Sequence, residues 1–105
     1  MRRMDRVAAV ALFIRIVETG SFSKAAAQFG ITQPTATKAV AAMEQRLGAR
    51  LLHRTTRGVS PTEVGSLYYD KCKAIANEIE AADNLATLMQ SGHSERSNGR
   101  YFDGS

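Results

Sequence analysis

The stretch Ile31–Gly48, ITQPTATKAVAAMEQRLG, predicts a helix with well-defined ends. Thr32 can cap its N-terminus, and Pro34 fits a first turn whose N–H groups have no partner inside the helix. Gly48 favours a left-handed stop. One apolar stripe recurs at spacings of 4, 3 and 4 residues and is therefore predicted to face a core; it consists of Ala36, Val40, Met43 and Leu47.

The first turns of this helix also carry a polar face, with no acidic residue before Glu44. Such a face can exchange hydrogen bonds with a negatively charged partner, because the N-terminal end of a helix carries positive partial charge. The same residue types occur on ordinary solvated helix faces, so the flanking sequence has to decide. The polar face consists of Gln33, Thr35, Thr37 and Lys38.

Two further helices are predicted before this one. Apolar residues at spacings of 3 and 4 indicate a core-facing helix from Asp5 to Thr19, ended by Gly20; they are Val7, Val10, Phe13, Ile14 and Val17. A helix of about two turns follows, for which we expect Ser23 as the N-cap and Ala26, Ala27 and Phe29 as packing residues. A short helix, a three-residue connection and a longer helix with a polar leading end are typical of a helix-turn-helix, whose second helix is offered to a DNA major groove.

A two-stranded wing is predicted after Gly48. Leu51–Arg54 can form one strand, 55–58 a turn, and Val59 and Ser60 a return strand. Arg54 and Arg57 flank the predicted tip, where long cationic side chains can reach a phosphate backbone or a minor groove; the alternative is that they only increase solubility. His53 is interpreted as a strand side chain and not as a metal ligand.

A long helix is predicted from Thr62, its expected N-cap. It carries an apolar seam of about three heptads, which is more than a small winged domain can cover. We therefore expect its later part to pack against a second copy of the chain and its early part to pack on the first helix. Cys72 is interpreted as a small buried hydrophobe. The predicted dimerisation seam consists of Tyr68, Cys72, Ile75, Ile79, Ala82, Ala86 and Met89.

Composition and charge agree with this organisation. The chain has 105 residues, of which 44% are hydrophobic and 23% charged, and it has one cysteine, which fits a reducing, cytoplasmic setting. No apolar run approaches the roughly 20 residues of a membrane span. Residues 24–57 hold six basic residues against one acidic, a net +5, whereas residues 61–90 hold two basic against five acidic, a net −3. We predict a DNA-binding domain at 1–60, a linker and dimerisation helix at 61–90, and a polar, disordered tail at 91–105.

The chain resembles the N-terminal DNA-binding domain of LysR-type transcriptional regulators, the bacterial-type regulators. The resemblance rests on five pieces in order between about residues 4 and 89: GSFSKAA, TQP, MEQRLG, LLHRTTR and PTEVG. It implies a mainly α winged helix-turn-helix, with three helices and a two-stranded wing, followed by a long linker helix that pairs two subunits. It also implies binding to double-stranded DNA at an interrupted palindrome.

Family roles carried onto matching positions name nine DNA-binding residues. They are contacts from the recognition helix at Gln33, Pro34, Thr35, Thr37 and Lys38, phosphate contacts at Ser23 and Thr32, and wing contacts at Arg54 and Arg57. The family commonly has Ser-Arg where this chain has Thr37-Lys38. Because Lys does not make the planar bidentate contact to guanine as readily as Arg, the base preference opposite Lys38 stays open. The family's effector domain, which takes a small-molecule inducer, is absent from this chain.

Other function classes are disfavoured. No catalytic residue set, metal site or cofactor is predicted, since no acidic pair, Cys/His pair or phosphate loop occurs in a suitable setting. The main alternative is a winged-helix module that binds protein and not DNA. That alternative requires an apolar or acidic recognition face, whereas this one carries Gln33, Thr37 and Lys38.

Overall fold

A computed structural model describes the backbone of residues 5–92 and the side chains of residues 5–90. It confirms the predicted fold class: four helices and an antiparallel two-stranded sheet, mainly helical, with a helix-turn-helix followed by a wing. The elements in chain order are α1 (Arg6–Thr19), α2 (Phe22–Phe29), α3 (Gln33–Leu47), β1 (Leu52–Thr55), β2 (Gly58–Pro61) and α4 (Glu63–Gly92).

The helix ends follow local capping chemistry. Thr32 Oγ1 accepts a hydrogen bond from the Thr35 N–H, and Gly48 closes α3 at φ 68°, so the predicted bounds of α3 are confirmed. The predicted cap of α2 is wrong: Ser21, not Ser23, has the extended backbone of a cap, and its Oγ accepts from the Lys24 N–H at 3.1 Å. Ser23 lies inside the first turn.

The core forms where α1, α2, α3 and β1 meet. The predicted core face of α1 is only partly correct, because Leu12 and Ile16 are fully buried whereas Val7 is 72% exposed. Most of α1 is apolar, so spacing alone selects its inner face poorly. The members of the core are Leu12, Phe13, Ile16, Phe22, Ala25, Ala26, Ala36, Val40, Met43, Leu51 and Leu52.

Two smaller core predictions are also corrected. In α2 the buried alanines are Ala25 and Ala26, whereas Ala27 is exposed. In α3 the stripe is buried as far as Met43, but Leu47 in the last turn is 39% exposed. The apolar stripe of α3 is thus one turn longer than the part of the helix that packs against the core.

The wing is a hairpin that pairs Leu52 with Pro61 and Thr55 with Gly58. Its first strand lies one residue later than predicted, and its second is one residue longer at each end. It is fixed to the helical part by the Val59 N–H, which donates to the Gly20 carbonyl at 3.1 Å. Gly58 has φ 135°, and a Cβ there would lie 2.8 Å from the Gly20 oxygen. Only glycine fits this approach without strain.

The chain divides into two compact units, the first ending at Lys73 and the second beginning at Ala74. The boundaries predicted at residues 60 and 90 concern function and stay predictions. Ser91 and Gly92, predicted in the tail, belong to α4, and residues 93–105 lie outside the described residues. Between residues 5 and 92, none of the helices combines the length and the apolar character that a membrane span needs.

The start of the predicted dimerisation seam packs within its own unit. The Tyr68 ring meets Phe13 edge to face at 5.6 Å between centroids, and Cys72 is buried. Tyr68 is thus engaged by α1 and Cys72 is shielded from solvent in the single chain, so neither is as accessible to a partner as the rest of the seam. The remaining five residues of the predicted seam, Ile75, Ile79, Ala82, Ala86 and Met89, are exposed.

Candidate nucleic-acid interface

The N-terminal ends of α2 and α3 each present a pair of hydroxyl groups. Ser21 Oγ and Ser23 Oγ are 3.1 Å apart at the start of α2, and Thr32 Oγ1 and Thr35 Oγ1 are 2.9 Å apart at the start of α3. In each pair the capping oxygen also accepts a backbone N–H. Hydroxyl groups beside the positive end of a helix are suited to contacting anionic oxygens.

An open groove of about 450 Å³ lies between the start of α2, the first residue of α3 and the wing. Four of the nine predicted DNA-binding residues line it: Ser23, Gln33, Arg54 and Arg57. The other five, Thr32, Pro34, Thr35, Thr37 and Lys38, lie outside its lining. The groove is therefore an edge of the predicted interface and not its centre.

Two residues of the groove were missed from the sequence. Ser21 and Lys24 line it together with Ser23. The position of Ser21 directly before the first turn of α2 could have identified it, because that position also makes it the N-cap of the helix. Lys24 is one of the six cations of residues 24–57, and no local motif distinguishes it from the others.

The leading face of α3 is accessible. Gln33, Pro34 and Lys38 are exposed, whereas Thr35 and Thr37 are half-buried. The long side chains of Gln33 and Lys38 are therefore exposed at the first turns of this helix, beside the half-buried hydroxyl groups of Thr35 and Thr37. Such a surface can offer hydrogen-bond donors and acceptors to base edges in a major groove.

Arg54 has a different position from the one expected. It lies within β1 and not at the tip, and its guanidinium stacks over the Phe22 ring at 4.1 Å from the centroid. Its Nη2 also donates to Thr37 Oγ1 at 2.9 Å. Arg54 therefore joins the wing to both helices of the helix-turn-helix, which no local sequence pattern indicates.

Arg57 lies in the two-residue turn of the wing, which Thr55 Oγ1 stabilises by accepting the Arg57 N–H at 3.1 Å. Its side chain is exposed, and no hydrogen bond or ion pair of its guanidinium is observed among residues 5–90. Of the two wing arginines, Arg57 is thus the one whose cationic group can move to meet a partner.

The positive charge of this surface is not neutralised within the described part of the chain. The ion pairs observed there join Arg15 and Lys73 to Glu18 and Arg50 to Glu44. The cations at the interface, namely Lys24, Lys38, Arg54 and Arg57, have no carboxylate partner among residues 5–90. An anionic partner would therefore not have to displace an internal ion pair.

No metal-binding arrangement of three or more His, Cys, Asp or Glu side chains is found between residues 5 and 92. Cys72 is buried, and burial raises the pKa of its thiol. A thiol held protonated is a poor ligand and nucleophile, which agrees with its interpretation as a packing residue.

Comparison with known proteins places these features in context. Residues 7–66 match the family model described as bacterial regulatory helix-turn-helix protein, lysR family. An HTH-type transcriptional regulator of Xanthomonas campestris pv. campestris is 46% identical over 81 residues, which cover 77% of this chain and 24% of that protein. An uncharacterized HTH-type transcriptional regulator of Haemophilus influenzae is 41% identical over 88 residues, covering 84% of this chain and 31% of that protein. The chain thus spans about a quarter to a third of these relatives.

Solved structures share the fold. A crystal structure of a BenM_DBD/catB site 1 DNA complex superposes with a TM-score of 0.76 at 27% identity, covering 89% of this chain and all of that one. A CbnR_DBD-DNA complex superposes with a TM-score of 0.71 at 25% identity, covering 81% of this chain and 98% of that one.

Proposed function

Because the chain belongs to the lysR family of bacterial regulatory helix-turn-helix proteins, we propose that it binds double-stranded DNA with sequence preference, as the DNA-binding part of a transcriptional regulator. One observation carries the proposal: the start of α2, Gln33 at the start of α3 and the cationic wing line one open groove, and the ion pairs found among residues 5–90 involve none of its cations. Proteins of the same fold have been crystallised as DNA complexes, which supports the same partner here.

In the proposed complex, the first turns of α3 enter the major groove. Gln33 can bridge the N6 and N7 of adenine, and Thr37 and Lys38 can reach neighbouring base edges or phosphates. Pro34 and Thr35 lie beside them in the same turns. Lys38 has a compact ammonium group, whereas Arg would have a planar guanidinium that can make two parallel hydrogen bonds. We therefore expect Lys38 to discriminate less between bases than Arg would.

The proposed positioning contacts surround α3. We expect Ser23 and Thr32 to hydrogen-bond phosphates at the starts of α2 and α3, and Arg57 to follow the backbone or enter a narrow minor groove. Such contacts fix the register of α3 on the duplex without reading sequence.

The proposed regulator is a homodimer on an interrupted palindrome, with DNA binding in residues 1–60 and subunit pairing through residues 61–90. Its effector domain, which would bind a small-molecule inducer, lies outside this chain. Cytoplasmic localisation and the lack of catalysis are parts of the same proposal, supported by relatives that are named as transcriptional regulators. A winged module that binds protein is less favoured, since the exposed face of α3 is neither apolar nor acidic.

A binding assay at several salt concentrations tests the proposal. Affinity for a duplex selected from a random pool should exceed that for a scrambled duplex, and should fall as salt rises, with a log–log slope of about −0.9 per neutralised phosphate. Arg57→Ala should weaken both duplexes and reduce the slope by about 1. Lys71→Ala removes an exposed cation of α4 and serves as the matched control, with no expected change. Binding that does not depend on salt would contradict the proposal.

A further inference from the structure

The hydrogen bond between Arg54 Nη2 and Thr37 Oγ1, 2.9 Å long, has a fixed direction. A guanidinium stays protonated in proteins and has five N–H donors and no acceptor. Arg54 must therefore donate, and the Thr37 oxygen must accept. The single hydroxyl proton of Thr37 is left to point elsewhere.

The surroundings hold this arrangement in place. The Arg54 guanidinium lies on the ring of Phe22, which is only 6% exposed and is itself fixed in the core. A planar cation over an aromatic face is held by its charge as well as by contact. Phe22 of α2 thus positions the Arg54 guanidinium, which donates its hydrogen bond to Thr37 of α3.

The Thr37 proton is not used inside the helix. A threonine in a helix often donates to the carbonyl one turn earlier, as Thr19 does to Arg15 at 2.7 Å. No corresponding bond from Thr37 to the Gln33 carbonyl is observed, although both residues lie in the described part of the chain. One of the two lone pairs of the Thr37 oxygen accepts from the cationic Arg54. Because hydrogen bonds in a chain polarise one another, this makes the Thr37 hydroxyl a better donor and a poorer acceptor at the leading face of α3.

We propose that Arg54 is a positioning residue that turns Thr37 into a hydrogen-bond donor toward DNA, so that Thr37 selects for a base acceptor in the major groove. This inference rests on the proposed function. Acceptors on that edge are the N7 of either purine, O6 of guanine and O4 of thymine, whereas cytosine presents the N4 amino donor. A hydroxyl without Arg54 is not polarised in this way and accepts from that amino group more readily, so the selection against cytosine depends on the wing.

The chosen variants separate the contributions of the two residues. Thr37→Val removes the hydroxyl at nearly constant shape, and Thr37→Ser keeps it. Arg54→Met keeps an apolar stem that can cover Phe22 but has no donor. Arg57→Met removes a neighbouring cation that does not contact Thr37 and is the matched control for charge. Thermal unfolding of each variant verifies that it is folded.

The first measurement is the affinity of each protein for a selected duplex and for variants carrying each of the four base pairs at each position. Wild type and Thr37→Ser should disfavour cytosine at one position by about 2- to 12-fold, the range of one net hydrogen bond. Thr37→Val and Arg54→Met should lose this preference. Arg57→Met should weaken all duplexes while keeping it.

The second measurement removes the acceptor atom. At a preferred adenine 7-deazaadenine, and at a preferred thymine 5-methyl-2-pyrimidinone, should weaken wild type but not Thr37→Val. At a preferred guanine the same is expected of either 7-deazaguanine, which lacks N7, or 2-aminopurine, which lacks O6. The inference is overturned if Arg54→Met keeps the preference, or if Thr37→Val weakens all duplexes equally, because Thr37 would then contact a phosphate. Failure of the wild type to distinguish any duplex would instead overturn the proposed function.

Discussion

At the scale of single residues, Gly65 sets how closely α4 approaches the chain before β1. A Cβ built at Gly65 would lie 1.9 Å from the Leu51 carbonyl oxygen, which is backbone and cannot rotate away. That oxygen also accepts the Thr62 N–H at 2.9 Å, so it is held at the start of α4. The approach leaves no room for a methyl group.

We therefore expect Gly65→Ala to destabilise the fold by about 1–3 kcal/mol or more, the cost of overpacking a well-packed contact. The gain in helix propensity, at most about 1 kcal/mol, is too small to offset it. Urea unfolding monitored by circular dichroism measures the difference. Ser66→Ala, at the exposed neighbouring position, is the control. A Gly65→Ala protein as stable as the control would show that α4 can shift freely.

A second interaction at the scale of single residues is made by Glu44, which accepts hydrogen bonds from the backbone after α3. Its Oε2 accepts the N–H groups of Leu51 at 2.7 Å and Leu52 at 3.2 Å, and so holds the chain that leads from α3 into the wing. Arg50 lies 3.6 Å from the same oxygen, but its side chain is 75% exposed, so this ion pair contributes little.

Glu44→Ala should cost about 1–3 kcal/mol, because the N–H of the fully buried Leu51 loses its acceptor. Glu44→Gln keeps an amide oxygen and should cost less. Both are measured by thermal unfolding, with Gln45→Ala on the exposed face of α3 as the control. If Glu44→Gln and Glu44→Ala were equally destabilised, the charge and not the hydrogen bonds would be responsible.

At the scale of elements, one carboxylate joins α1 to the first half of α4. Glu18 accepts from Tyr69 Oη at 2.7 Å and pairs with Lys73 Nζ at 3.1 Å, while Arg15 contacts its other oxygen. The hydrogen bond from Tyr69 lowers the pKa of Glu18, and the Lys73 ammonium adds to this effect. The same hydrogen bond raises the pKa of Tyr69.

The directions of these shifts predict how stability depends on pH. Because the pKa of Glu18 is lowered on folding, its contribution is present above its unfolded pKa and is lost as pH falls through the folded one. Because the pKa of Tyr69 is raised, its contribution is present below its unfolded pKa and is lost as pH rises through the folded one. The two groups therefore stabilise the protein most at neutral pH.

We expect Glu18→Gln to have a lower melting temperature than wild type at neutral pH, and the difference to shrink in acid. The effect should be modest, since these side chains are partly exposed and solvent screens them. Melting curves from neutral to acid pH measure it. Asp70→Asn, an exposed carboxylate with no ion pair observed in the described residues, is the control. A difference independent of pH would assign the effect to packing.

The accuracy of the sequence predictions follows the range of the interactions involved. The ends of α3 were predictable because Thr32 and Gly48 act on backbone groups within a few residues. The inner face of α1 was not, since nearly every turn offers an apolar residue. Nor was the contact of Arg54 with Thr37, because it joins residues 17 apart in sequence through the fold. Short-range chemistry thus sets the ends of the elements, whereas the contacts between elements depend on the three-dimensional fold.

At the scale of the whole molecule, the later part of α4 leaves an apolar face uncovered in the single chain. Ile75 is 59% exposed, Ile79 51% and Met89 59%, at positions that recur on one face of the helix. Exposed apolar residues in such a pattern are typical of a surface that pairs with another. Two recognition helices in one symmetric dimer would contact half-sites about 34 Å apart or a multiple of that distance.

We therefore expect a dimer through this face, and Ile79→Glu to dissociate it. Burying one isoleucine contributes about 1.5–3 kcal/mol, and each substitution in a two-fold interface acts twice. The variant would also bring two like charges into an apolar seam. Sedimentation at micromolar concentration should show a dimeric wild type and a monomeric Ile79→Glu that remains folded, because Ile79 lies outside the core of the first unit.

The loss of pairing should affect DNA binding in a way that a damaged recognition helix would not. Ile79→Glu should bind a full palindrome much more weakly than wild type but a single half-site about equally, because only the linkage between two contacts is lost. Asn77→Glu adds the same charge on the opposite side of α4 and should remain dimeric. If Ile79→Glu stayed dimeric, or if wild type were a monomer, the exposed face of α4 would have a different partner, and selectivity for a palindrome would require another source.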